Sequence, residues 1–420
     1  MPSNGPPKAY VWAWLPGHAE PVVAGVLERR GDLIAYAYGQ SYRARDEAVP
    51  LYLPELPVLP GMIDPPRGMR VAGVIADAAP DAWGQRVILN RIAGAGATTT
   101  DPGDVSLLTY LLESGSDRTG NLDFQASATE YVPRVRDQAT LEELAASADR
   151  VERGEPLSPA LDQALLHGSS IGGARPKALL DDGDRRLIAK FSSSTDTYPV
   201  VKGEFAAMEL ARRAGLEVAA VEITNVLGRD VLLVERFDRY PVAGRRAMVS
   251  ALTILGLDEM AGRYASYADL AVQVRERFTD PGQTLRELFS RITFNVLVGN
   301  TDDHARNHAA FWHPDRDLLS LTPAYDICPQ PRSGGEASQA MAIASSGWRM
   351  CQIEGCVRAA PTYLLTEDEA REIADRQITV IREHWDAVAE LAGMAKADRS
   401  LFWGRQFLNP FALETAASRP

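Results

Sequence analysis

Between Lys177 and Glu235 the sequence runs in short strand-length stretches broken by turn residues, and beyond Arg239 it changes to helical spacing. Lys177-Ala-Leu-Leu180 leads through Asp181-Asp-Gly-Asp184, which is turn chemistry, into a second strand from Arg186 to Phe191. Glu204 to Ala214 places Phe205, Met208 and Ala211 three apart on a helix. Arg212 and Arg213 suit its negative end, and Gly215 is placed to end it. Val218 to Thr224 and Val231 to Glu235 read as two more strands around Gly228. After Arg239, Thr284-x-x-Glu287 reads as a capping box ahead of Leu285, Leu288, Phe289, Ile292 and Val296, and Gly299 closes that helix. Thr366-x-x-Glu369 is a second capping box. Strands first and helices after predict an α+β fold of two lobes, one β-rich and one helical, with a cleft between.

Upstream, Val22 to Arg29 and Leu33 to Tyr38 predict a hairpin around Arg30-Gly31-Asp32. Six prolines between Pro50 and Pro66 favour an extended connector. Asp77 to Ile92 reads as a helix with Pro80 in its first turn and Trp83, Val87, Ile88 and Ile92 on one face. Residues 120–160, polar and charged, read as a surface helix and a linker. The expected division is an N-terminal α+β domain over 1–115, a strand-rich lobe over 116–238 and a helical lobe over 239–420.

At 45% hydrophobic and 24% charged, the composition excludes a disordered chain, a collagen and a coiled coil. No apolar run approaches the ~18 residues of a membrane span, and the first residues hold no apolar signal core, so a cytoplasmic chain off the membrane is expected. A net charge of −12 gives little gain from counterion release on DNA. Cys328, Cys351 and Cys356 make no disulfide framework, and Cys351-x4-Cys356 has no second pair to complete a zinc site.

The chemistry concentrates in Gly299-Asn-Thr-Asp-Asp-His-Ala-Arg-Asn-His308, immediately after a helix end. Asp302 to Asn307 is a D-x4-N spacing. In phosphotransferase catalytic loops that spacing sets an Asp to accept the proton of the attacking hydroxyl and an Asn to hold Mg²⁺. A second carboxylate then holds the metal, and Asp326, in Leu321-Thr-Pro-Ala-Tyr-Asp-Ile-Cys328, fits. Taking Asp303 as the base would put His308 at the metal position, which Mg²⁺ disfavours, so Asp302 is the candidate base. The Gly-rich stretch from Gly168 to Ala174 can bring backbone N–H groups to phosphates. Lys190, on a strand, can reach them as a compact charge, and Glu204 could pair with it. Val234-Glu-Arg-Phe237 could present backbone groups to an adenine edge.

Each feature has a plainer reading. Gly172-Gly173 suits a simple turn, Lys190 a solvated edge strand, Glu204 a helix start, and Asp302 or Asp303 a helix cap. His304, His308 and His313 allow a metallohydrolase, although no Glu follows the first His as a zincin requires. A small-molecule kinase and a non-catalytic regulator also remain open. No Gly-x-Ser-x-Gly elbow and no Gly-x4-Gly-Lys-Ser/Thr loop occurs.

Taken together, these segments resemble the HipA-type serine/threonine kinases, the toxin halves of bacterial toxin–antitoxin pairs. The resemblance runs through Asp77-Ala-Ala-Pro-Asp-Ala-Trp-Gly84, Ser170-Ile-Gly-Gly-Ala-Arg-Pro-Lys177, Val234-Glu-Arg-Phe-Asp-Arg239, Asn300-Thr-Asp-Asp-His-Ala-Arg-Asn307 and Tyr325-Asp326. It implies ATP and Mg²⁺ as cofactors and Asp302 as the catalytic residue. Gly172, Gly173, Ala174, Arg175, Pro176 and Lys177 would surround the ATP phosphates and Lys190 would hold them. Glu235, Arg236 and Phe237 would contact adenine. His304, Ala305, Arg306, Asn307, Tyr325 and Asp326 would complete the site, with Asn307 and Asp326 on the metal. Ser170 matches the serine that the family autophosphorylates to switch itself off. The implied partners are a HipB-like helix-turn-helix antitoxin, operator DNA reached mainly through it, and a protein substrate such as an aminoacyl-tRNA synthetase.

Overall fold

A computed structural model describes residues 5–93, 100–134, 139–153, 155, 165, 175–193, 195–240, 244–332 and 334–414. The chain divides into two compact units, both discontinuous. The first gathers residues 1–194, 224–249 and 311–317, and the second gathers 195–223, 250–310 and 318–420.

In the first unit the N-terminal residues form strands β1 (Lys8–Ala13), β2 (Val22–Arg30) and β3 (Leu33–Tyr38). The β2–β3 hairpin turns at Gly31 and Asp32, with Arg30 opposite Leu33 and Gly31 at φ +64°, where a residue without Cβ is unstrained. Helix α1 (Ala82–Ala93), strand β4 (Leu122–Gln125) and helix α2 (Leu141–Glu152) follow. The four strands form an antiparallel sheet in the order β3-β2-β1-β4.

Two expectations shift here. The helix expected from Asp77 is interrupted, since Gly73–Asp77 is a separate turn of helix and α1 begins only at Ala82. Pro80 disfavours helical backbone at the residue before it, and the Asp81 carboxylate accepts the Gly84 N–H at 2.8 Å, which caps a new start. Helix α2 is opened by a Thr140–Glu143 capping box, but its inner face is not a surface. Leu144, Ala145, Ala148 and Val151 pack with Trp83, Val87, Phe191 and Val231 in one buried cluster.

That cluster joins α1 and α2 to strands β5 (Lys177–Asp182), β6 (Arg185–Phe191) and β7 (Arg229–Glu235). β6 lies antiparallel between β5 and β7, with Lys190 opposite Lys177 on one side and Leu232 on the other.

The second unit is mainly helical. It contains α3 (Val200–Arg213), α4 (Tyr267–Arg277), α5 (Pro281–Val298) and α6 (Glu367–Leu391). The Thr366–Glu369 capping box opens α6 as expected. The one expected at Thr284 does not form. Asp280 caps α5 by accepting the Gln283 N–H at 3.1 Å, and Pro281 takes the first helical position, where its missing N–H costs nothing.

From Leu288 onward α5 is buried on every side, as in a helix at the centre of a domain. It ends at Gly299, φ +71°, where a Cβ would come within 2.9 Å of the Gln406 carbonyl oxygen.

Helix α3 packs among the C-terminal helices: a Cβ on Gly203 would stand 2.7 Å from the Phe402 ring, and Lys202 Nζ donates to the Gly393 carbonyl at 2.9 Å. For this reason residues 195–223 fall in the helical unit, although they lie within the segment expected to end at 238.

Candidate active site

Helix α5 delivers the D-x4-N loop. Its buried Asn295 holds the start of that loop twice, accepting the Asn300 N–H on its carbonyl at 2.9 Å and the Asn300 amide on its side-chain oxygen at 3.1 Å. At the far end the His308 carbonyl accepts the Ala251 N–H at 2.8 Å. Between these tethers exposure alternates: Asp302 and His304 are exposed, while Asp303, Ala305 and Asn307 are buried.

The two adjacent acids therefore live in different environments. Asp303 Oδ2 accepts from the Tyr267 hydroxyl, from Asn295 Nδ2 at 2.7 Å and from His308 Nε2 at 2.8 Å. Burial alone would raise its pKa, but the His308 ring and these donors outweigh it and hold the carboxyl below the ordinary range. Asp302 moves the other way. Partial burial raises its pKa, exposed His304 opposes the rise, and the nearby Asp326 and Asp303 charges add to it. Among the described residues none donates a hydrogen bond to Asp302.

The segment carrying Asp326 is fixed beside this loop. Ala324 is bridged in parallel to Val218, with Ala219 N donating to Ala324 O at 2.9 Å and Ala324 N to Glu217 O at 2.8 Å. Buried Arg291, paired with Glu287 at 2.8 Å, donates to the Thr322 carbonyl at 2.9 Å. The Tyr325 hydroxyl donates to the Arg306 carbonyl at 2.7 Å, which ties the two segments together. The Arg306 side chain turns to Glu259 at 2.6 Å. Asp326 has φ +59°, a left-handed conformation uncommon for a residue with a Cβ and often found at functional positions.

Asn307 and Asp326 offer an amide and a carboxylate oxygen, the hard donors that Mg²⁺ takes when phosphates complete its shell. The mutual repulsion of Asp302 and Asp326 has the sign that a divalent cation offsets. The three-histidine alternative finds no support: His308 faces Asp303, His313 falls in the first unit, and no group of three His, Cys, Asp or Glu that could hold a metal occurs among the described residues.

In the first unit, Ser170, Gly172, Gly173 and Ala174 lie outside the described residues. Arg175 is half-buried. Pro176 is buried, and its carbonyl accepts the Phe191 N–H at 3.0 Å. Lys177 is buried at 2% exposure, with its ammonium on Asp81 at 3.0 Å and its carbonyl taking the Trp83 indole N–H at 3.0 Å. Lys190 is half-buried on β6. Glu235 ends β7 opposite Leu187. Phe237 packs edge-on to Phe311 at 6.0 Å. Arg236 is buried and spent internally, on Asp117 at 3.1 Å and Asp238 at 2.9 Å. Glu204 is buried within α3 of the second unit.

Residues 169–385, just over half of the chain, match the HipA-like C-terminal domain family. The chain belongs to this family. It is 30% identical over 193 residues to the putative kinase Y4mE of Sinorhizobium fredii, covering 38% of this chain and 44% of that protein. It is 27% identical over 185 residues to the serine/threonine-protein kinase toxin HipA of Shewanella oneidensis, covering 38% and 42%. The matched stretch thus spans less than half the length of either relative.

The structure also superposes, with a TM-score of 0.68 and 19% identity, on a chain of the Shewanella oneidensis complex of HipA, HipB and its operator DNA, covering 94% of both chains. The α+β, HipA-like fold expected from the sequence is the fold of this chain. Among the described residues no helix is long and apolar enough to cross a membrane.

Sequence reasoning missed the group beneath the loop. It weighed Asp303 as a base and His308 as a metal ligand, whereas the two face each other with Tyr267 and Asn295. No local signal marks Tyr267, which lies on a different helix 36 positions before Asp303.

Proposed function

We propose that this HipA-family chain is an ATP- and Mg²⁺-dependent kinase that phosphorylates Ser or Thr on a protein, with Asp302 as the base. One observation carries this: of two adjacent acids, Asp303 is sealed in a hydrogen-bonded pocket, while Asp302 is exposed, beside Asp326 and without a donor among the described residues. An acid left open in this way can accept the proton of an incoming hydroxyl. Bound Mg·ATP would supply the phosphoryl group and neutralise its charge. Asn307 and Asp326 would hold the metal, with His304, Ala305, Arg306 and Tyr325 shaping the site around it. Gly172, Gly173, Ala174, Arg175 and Pro176 would lie along the phosphates, with Lys190 on them. Lys177 and Arg236 would serve through their backbone, because their side chains are engaged with Asp81 and with Asp117 and Asp238. Glu235 and Phe237 would flank adenine.

By extension from the named relatives, the chain acts as a toxin restrained by a HipB-like antitoxin. Operator DNA would be reached through that partner, and the substrate would be a protein such as an aminoacyl-tRNA synthetase. Phosphorylation of Ser170 would add about −1.5 to −2 charge beside the nucleotide's own phosphates and turn the enzyme off.

The test is incubation with labelled ATP, Mg²⁺ and whole-cell lysate, wild type beside Asp302→Asn. A labelled protein that disappears in the variant supports the proposal. A labelled metabolite would make the chain a small-molecule kinase, and nucleotide binding without turnover would reject catalysis.

A further inference from the structure

Asp303 is next to the proposed base but is only 3% exposed, so neither a protein hydroxyl nor a nucleotide reaches it. Burying a carboxylate is costly unless donors replace its water. Here three donors converge on one oxygen, from three separate places: Tyr267 on α4, Asn295 in the last turns of α5, and His308 at the end of the loop.

Facing a carboxylate, His308 Nε2 carries the proton. The other ring nitrogen, Nδ1, is buried with no hydrogen-bond partner among the described residues. Asp303 is therefore the polar contact that orients this ring, which stands edge-on to Tyr267 at 5.6 Å. Asn295 ties Asp303 to Asn300 as well, so one buried cluster holds the loop at 300, 303 and 308. Asp302 projects from the span between the first and second of these anchors.

We propose that Asp303 is a positioning residue that sets the direction of Asp302 by gathering Tyr267, Asn295 and His308 on a single carboxylate oxygen. This rests on the phosphotransfer function proposed above. A displacement of about 1 Å at a reacting group can cost on the order of 100-fold in rate, and that is what slackening this anchor would produce.

Tyr267→Phe removes one donor and keeps the ring, and His308→Phe does the same for the imidazole N–H, so both are gentler than Asp303→Asn. In the full-length protein each should lower kcat by about 10- to 100-fold, while the KM for Mg·ATP stays within about twofold. Adding either change to Asp302→Asn should cause no further loss, because the effect acts through Asp302. Equal changes in kcat and KM, or fully additive losses, would overturn the proposal.

Amide hydrogen exchange gives a readout independent of turnover. The amides of residues 301–307 should exchange faster in Tyr267→Phe, with those of α4 and α5 unchanged. If the wild type transfers no phosphate, the phosphotransfer reading fails, and the exchange result still decides whether Asp303 holds the loop. Unchanged exchange at 301–307 would reject it.

Discussion

The loop at residues 300–308 and the stretch at 235–239 were both expected to face a nucleotide, and both are dense in charge, yet the structure uses their charges in opposite ways. In the loop the labour is divided between neighbours: Asp303 is consumed internally and Asp302 is left open. At 235–239 both arginines are consumed. Arg236 and Arg239 share Asp117 and Asp238, Arg236 also donates to the Arg118 carbonyl at 2.8 Å, and Asp238 takes the Gly120 N–H at 2.9 Å. With its arginines and Asp238 spent, 235–239 is left with backbone, the Phe237 ring and the half-buried Glu235 to offer a ligand, whereas the loop offers the exposed Asp302. Charge in a motif therefore says little about chemistry until its partners are known.

The comparison is broken most directly at the open acid. Asp302→Asn should lower phosphoryl transfer by about 100- to 10,000-fold, the usual span for a general base, while nucleotide affinity measured by calorimetry is kept. Retained activity would remove Asp302 from the chemistry.

The second region should fail by unfolding. Arg236→Ala leaves Asp238 and Asp117 short of a buried cation and should cost about 3–5 kcal/mol in chemical denaturation. A stable Arg236→Ala protein that had lost only nucleotide affinity would make Arg236 a ligand group instead.

Asp326→Asn should weaken Mg²⁺-dependent nucleotide binding by about tenfold, the lower end for loss of a metal-site group, with little change when Mg²⁺ is absent. Equal binding with and without the metal would break its assignment.

The ion pairs at 236–239 also predict a pH dependence. Burial would raise the Asp238 pKa, but Arg236 and Arg239 outweigh it and bring it down to about 2. A folded-state pKa below the unfolded value of 3.8 adds stability that is present above that value and lost as the pH falls towards 2. The contribution is about 2 kcal/mol. Urea titrations between pH 5 and 2 should show that slope in the wild type and a flatter one in Asp238→Asn.

Much of the fold could be read in advance because its signals are local. Gly31 with Asp32 between two β-rich runs, the Thr366–Glu369 capping box, and Gly215 and Gly299 after helical spacing each work through neighbours within a few residues. Local rules misled where two competed. Asp280-Pro281 displaced the Thr284 cap, and Asp81 restarted a helix that the apolar spacing alone would have carried through.

The candidate site divides along the same line. The sequence by itself determined many of the elements and a D-x4-N loop set directly behind a helix end, with a second acid downstream. Only the tertiary structure decided which of two adjacent carboxylates is open and which is buried. It also decided that Lys177 is spent on Asp81, 96 positions away, and Arg236 on Asp117, 119 positions away. Backbone spacing is set by bonds a few residues long, but the ionisation and exposure of a side chain are set by whatever packs against it, and those groups come from anywhere in the chain.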